Sequence, residues 1–248
     1  MNSFNNKIDF ANLLSSSKAK ILLKCLTELV SDMNSISADS SNFEKNKALE
    51  RLRNEWQGLA TTETDDNDQQ LADNNERVAT DWLIQLFNTL FADQKVILVR
   101  SEGEPEYFPA QNNEPARIEF AHGFFASALH ELSHWCVAGE ARRRLPDFGY
   151  WYAPDGRSAA QQQSFERVEI KPQALECLFT LACGRPFQVS QDNLFAAFDT
   201  SDSTFEHDVY QQAEQYITEP QTLPRDAKIL LLTLLKVSTS NSTKSMAI

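Results

Sequence analysis

The run His130-Glu131-Leu132-Ser133-His134 constrains this chain more than any other feature. Four residues advance an α-helix by slightly more than one turn, so both imidazoles leave one face and can reach one metal ion. Phe124, Phe125, Ala128, Leu129, Leu132, Trp135 and Cys136 surround the pair with apolar surface, and the small residues Ala121, Gly123 and Ser127 allow close packing. The pattern therefore predicts a buried helix, about 122–141, that presents two histidines from a hydrophobic core. Coincidence is a poor account of it, because the whole chain has only 4 His.

Taken alone, the motif points to a zinc hydrolase with Glu131 as general base. Its surroundings do not follow that pattern. A metzincin places Gly three residues after the second His and a further His three beyond, where this chain has Val137 and Glu140. A thermolysin-like enzyme supplies a Glu some twenty residues downstream, yet the stretch from Ala141 to Phe165 contains none. The next carboxylates are Glu166, Glu169 and Glu176. With Gln173 they fall at i, i+3, i+10 and i+7, one face if a single helix carries them, although Pro172 predicts an interruption. Apolar Val168 and Ile170 flank Glu169 and favour it as the third metal ligand, with Glu166 and Glu176 as alternatives. Two His and one carboxylate leave open coordination positions, which suits non-haem Fe(II) with O2 as well as catalytic zinc.

Composition narrows the class. At 248 residues, with 42% apolar and 23% charged positions and 16 Phe, the chain has globular composition. The best apolar run, Ile229–Leu235, is far short of a membrane span. The first residues lack a basic-then-apolar leader pattern, so a cytoplasmic location with reduced Cys25, Cys136, Cys177 and Cys183 is expected. A net charge of −12 argues against nucleic acid as a partner, and no membrane partner is expected.

Residues 1–70 read as a helical extension or partner-binding segment with no visible chemistry, with stripes at Ile21, Leu22, Leu23, Leu26, Leu29 and Val30 and at Leu49, Leu52, Trp56 and Leu59, closed by an acidic linker at 61–69. Residues 71–236 read as the main domain and 237–248 as a frayed tail. Within the domain, helices are expected over Val78–Phe91, 161–171, 173–182, 204–216 and 225–236, with strands at 95–100, 107–108 and 117–120. The expected fold is α+β, mainly helical with a small antiparallel sheet. The aromatic loop after Asp147 carries Phe148, Tyr150, Trp151, Tyr152 and Asp155, a set able to line a pocket for a long cationic side chain. His122, near the helix start, could reach the site or cap the helix. Arg142, Arg143 and Arg144 read as favourable charges at a helix C-terminus.

Three segments, A-H-G-F-F-A-S-A-L-H-E-L-S-H-W-C (121–136), D-F-G-Y-W-Y-A-P-D-G-R (147–157) and F-E-R-V-E-I-K-P-Q-A-L-E (165–176), closely resemble the elongation factor P hydroxylase family. The resemblance covers about Val78 to Leu235 and leaves residues 1–70 outside. It implies a cytoplasmic bacterial iron-dependent monooxygenase that hydroxylates a lysine of elongation factor P after that lysine has been β-lysylated. It implies that His130 and His134 are metal ligands with Glu169 as the carboxylate. Ala153 stands where the family pattern would have Cys. On this reading Glu131 is a proton shuttle or a support beside the metal, and Tyr150, Trp151, Tyr152 and Asp155 form an aromatic, acidic mouth for a lysyl-lysine side chain. A zincin-type hydrolase using Glu131 as base is the alternative, and a binding module with a closed four-ligand structural metal is a further rival.

Overall fold

The structure is a computed structural model that describes residues 8–34, 41–59, 69–150, 156–191 and 203–238. Its elements run α1 (Ser16–Asn34), α2 (Ser41–Leu59), α3 (Gln69–Leu90), β1 (Val96–Arg100), β2 (Glu106–Phe108), β3 (Ala116–Phe120), α4 (Phe125–Arg142), α5 (Ala159–Ala182), α6 (Phe205–Thr218) and α7 (Arg225–Ser238). The mainly helical α+β class is as expected. No described helix is long and apolar enough to cross a membrane.

The sheet departs from expectation in one respect. Its order is β1-β3-β2, with β3 antiparallel to β2 but parallel to β1, Val96 opposite Ala116 and Arg100 opposite Phe120. Chain direction alternates from strand to strand, so placing β3 between the other two must make one pairing parallel. Asn112 and Asn113, both left-handed (φ 50° and 69°), make the turn that sends β3 back into the middle. On the edge strand β1, the Asn88 side chain accepts from Leu98 N at 2.7 Å and donates to Leu98 O at 3.3 Å, satisfying backbone groups that an edge leaves open.

Around this sheet the helices share one apolar core that runs from Phe10 to Val237. Segment 1–70 contributes directly. α1 packs on α7 through Leu22, Leu26 and Val30, and α2 packs on α3 and α7 through Leu52 and Trp56. Trp56 lies 4.2 Å from Trp82 and 5.9 Å from Phe125, centroid to centroid, and Trp82 donates its indole N–H to Leu52 O at 2.7 Å. The acidic stretch 61–69 lies, but for Gln69, outside the described residues.

Three boundaries differ from the periodicity. α3 begins at Gln69 rather than Val78 because its first turns are polar and mostly exposed, where an apolar repeat is silent. α4 begins at Phe125 because His122 and Gly123 are left-handed (φ 58° and 72°) and cannot continue a helix. α5 passes through Pro172 unbroken. The proline forfeits the bond to the carbonyl of Val168, a residue on the exposed side of the helix.

Candidate metal centre

α4 is buried on almost every side, against α3, β3, α5 and α7. Its His130 and His134 face α5, which runs antiparallel so that His134 meets Glu169 and His130 meets both Glu169 and Glu176. The His130 and His134 Nε2 atoms stand 3.1 Å apart. Glu169 Oε1 is 3.3 Å from His134 Nε2, and Glu169 Oε2 is 3.7 Å from His130 Nε2. One donor atom from each residue lies within 4.8 Å of the others. Donors about 2.1 Å from a common ion stand roughly 3 to 3.5 Å apart, the spacing of a facial or tetrahedral ligand set.

The donors call for a cation. Glu169 is 1% exposed, and among the described residues its Oε2 is buried without a hydrogen-bond partner. A bare carboxylate oxygen in a low-dielectric interior is costly unless an ion or proton satisfies it. Glu176 Oε2 lies 2.9 Å from His130 Nδ1, which places the proton on Nδ1 and turns the Nε2 lone pair toward His134 and Glu169. Two imidazole lone pairs cannot face one another at 3.1 Å unless a proton or metal ion sits between them.

The electrostatics of the metal-free protein agree. Burial opposes a charge on His130, but the hydrogen bond and charge of Glu176, with Glu169 and Glu131 beside it, prevail and raise its pKa to about 10. Burial also favours neutral Glu169, yet the two histidines and hydrogen bonds from His134 and Gln173 bring its carboxyl down to about 2. Glu131 moves the other way. Its desolvation outweighs the attraction of the histidines, and the neighbouring carboxylates add to the rise.

Of the three candidate carboxylates, the structure brings Glu169 to the pair. Glu166 points elsewhere, accepting from Gln162 Nε2 and Ser203 Oγ, and Glu176 supports His130 from behind. Glu169 is buried because α4 covers it. Val168 beside it is exposed, so the apolar flank that favoured Glu169 in the sequence is not the physical cause. Gln173 pins Ser190 through both backbone groups, at 2.7 and 3.0 Å, and was missed as a supporting residue. Its only sequence signal was the shared helix face with Glu169.

His122 stays outside α4, exposed beside Phe124, and does not join the cluster. Tyr150 is half-buried under the Arg142 guanidinium, 3.8 Å from its ring centroid. Trp151, Tyr152 and Asp155 lie outside the described residues. Phe148 and Asp147 are structural, with Phe148 stacked on Tyr107 at 4.1 Å and Asp147 accepting from Tyr107 N. Arg143 closes the α4 C-terminus, donating to Trp135 O and pairing with Asp226 at 2.7 Å.

The family model described as elongation factor P hydroxylase matches residues 86–246. The chain belongs to the elongation factor P hydroxylase family. A relative from Haemophilus influenzae, the elongation factor P lysine hydroxylase, is 46% identical over 151 residues, which cover 60% of this chain and 83% of the relative. The region matched to the elongation factor P hydroxylase family contains α4 and α5 whole, and with them every residue of the cluster. It begins inside α3 and leaves α1 and α2 outside.

Proposed function

We propose that this protein is a non-haem Fe(II) monooxygenase that hydroxylates the β-lysylated lysine of elongation factor P in the cytoplasm. The observation that carries the metal reading is the convergence of His130 Nε2, His134 Nε2 and a Glu169 carboxylate whose Oε2 is buried and unpartnered. The name of the Haemophilus influenzae relative supports the reaction and the protein substrate. Bound ferrous iron would supply the redox chemistry by which O2, with two electrons from a separate reductant and two protons, places one oxygen atom in a C–H bond and releases the other as water.

The chain's own residues prepare that site. Glu176 fixes His130 in the tautomer that offers Nε2, and α4 shields Glu169 from water. Among the described residues only three side chains form the donor group, so positions remain for O2 and substrate. Glu131, half-buried beside the histidines and with its pKa raised by desolvation, is assigned to exchange a proton with the centre. Tyr150, with Trp151, Tyr152 and Asp155, is assigned to receive the long cationic side chain.

The deciding experiment is intact-mass analysis of β-lysylated elongation factor P after anaerobic Fe(II) loading of the enzyme, addition of a chemical reductant as electron donor and exposure to O2. The expected result is a gain of one oxygen that vanishes with His130→Ala. Peptide cleavage with zinc, abolished by Glu131→Gln and without oxygen insertion, would replace the hydroxylase with the hydrolase.

A further inference from the structure

The start of α4 is fastened by a residue that lies before the family match. Phe124, which precedes the helix, makes no side-chain cap, and the first N–H groups of a helix have no partner within it. Glu76 of α3 supplies one. Its Oε1 accepts from Phe125 N at 2.8 Å, placing a negative charge at the positive end of the helix. Its Oε2 takes the Arg185 guanidinium at 2.6 Å. Arg185 lies just past α5, is tied to the last turn of α5 by its N–H to Thr180 O at 3.1 Å, and holds its guanidinium 4.1 Å from the Phe125 ring centroid. One carboxylate therefore joins α3, the first residue of α4 and the end of α5.

We propose that Glu76 is a positioning residue for the metal centre, holding α4 in axial register against α5 and thereby setting the separation of His130 and His134 from Glu169. The inference rests on the metal-centre reading above. The antiparallel pair meets at three levels, His134 with Glu169, His130 with Glu176, and Phe125 with Arg185. Phe125 is five residues from His130, about 7.5 Å of helical rise. Metal sites tolerate only about 0.2 Å in ligand distance, so a small axial slide of α4 is felt at the donors. A second tie from α3 restrains the same end. Gly123, left-handed at φ 72°, packs on Arg100, which donates to Asp81 Oδ1 at 2.6 Å and to Arg77 O at 3.1 Å. The Glu76–Arg185 pair is 31% exposed on each side, and such a pair adds little to global stability. Losing the cap on Phe125 N also weakens the start of α4, so melting is needed to separate an effect on the centre from an effect on folding.

The test titrates the metal-free full-length protein with Co(II), reading affinity against a competing chelator and site geometry from the visible absorption bands. Thermal melting is followed in parallel. Wild type is expected to bind and His134→Ala to fail. Glu76→Ala is expected to weaken Co(II) affinity roughly three- to tenfold and shift the bands, less than the roughly 10- to 100-fold typical of groups that touch a ligand. Glu76→Gln, which keeps an acceptor for Phe125 N, should fall between. Leu52→Ala, a buried change in α2 away from the α4–α5 contact, should lower the melting temperature without altering affinity or bands. Wild-type affinity and bands in Glu76→Ala would overturn the proposal. Should Glu76→Ala not fold, unchanged binding in both Glu76→Gln and Arg185→Lys would overturn it equally. Failure of wild type to bind better than His134→Ala would remove the metal centre itself, and the proposal with it.

Discussion

α1 with α2 and α4 with α5 are both helical sets buried in the same core, yet they bury different things. The first set buries Leu22, Leu26, Val30, Leu52 and Trp56, all apolar. The second buries His134, Gln173 and Glu169 among its leucines and phenylalanines. Apolar burial stabilises whatever side chain fills the space, so it carries no chemistry of its own. Charged burial is costly unless each group has a partner, and among the described residues Glu169 Oε2 accepts no hydrogen bond, with His130 Nε2 3.7 Å away. The difference separates helices that maintain the fold from helices whose buried donors could hold an ion.

The sharpest way to break the contrast is His134→Ala. It should abolish metal binding and oxygen insertion while circular dichroism keeps its helical signature, and melting should fall because Glu169 loses its buried partner. A variant that kept stoichiometric metal would place the centre elsewhere. On the other side of the comparison, Leu26→Ala empties a fully buried site on α1 and should cost about 2–5 kcal/mol in chemical denaturation. Protein that remains folded should bind metal as wild type does. If metal affinity fell in step with stability, the two sets would not be independent. Glu176→Ala probes the support behind His130 and should lower metal affinity by roughly 10- to 100-fold with little effect on melting. The smallest effect is expected for Arg51→Ala, which removes the exposed i,i+4 pair with Glu55 on α2. It should change stability by less than about 0.5 kcal/mol and leave activity untouched.

The same contrast governs what was readable in advance. The periodicity of α1 and α2 and the His130–His134 pair are local properties, set by 3.6 residues per turn, and they appear in the structure as the pattern predicts except at Ile21, which the α1 stripe included and which is exposed. Choosing among Glu166, Glu169 and Glu176 was not local. All three share a helix face, and only the antiparallel placement of α5 against α4 distinguishes a donor from a supporting group and from a residue tied to Ser203. Apolar neighbours favoured the residue that does meet the histidines, although for a reason the fold does not use. The continuity of α5 through Pro172 and the parallel β1–β3 pairing likewise depend on neighbours distant in the chain.

By itself the sequence determined a mainly helical α+β chain, the helix that carries both histidines and the face from which a carboxylate must come. Helix period, turn chemistry and apolar spacing act over a few residues and so are written in order along the chain. Tertiary structure alone decided which carboxylate meets the imidazoles, which one orients His130 and how the start of α4 is tied to α3 and α5. Those outcomes depend on distances of a few ångströms between residues separated by tens of positions, and only packing sets such distances.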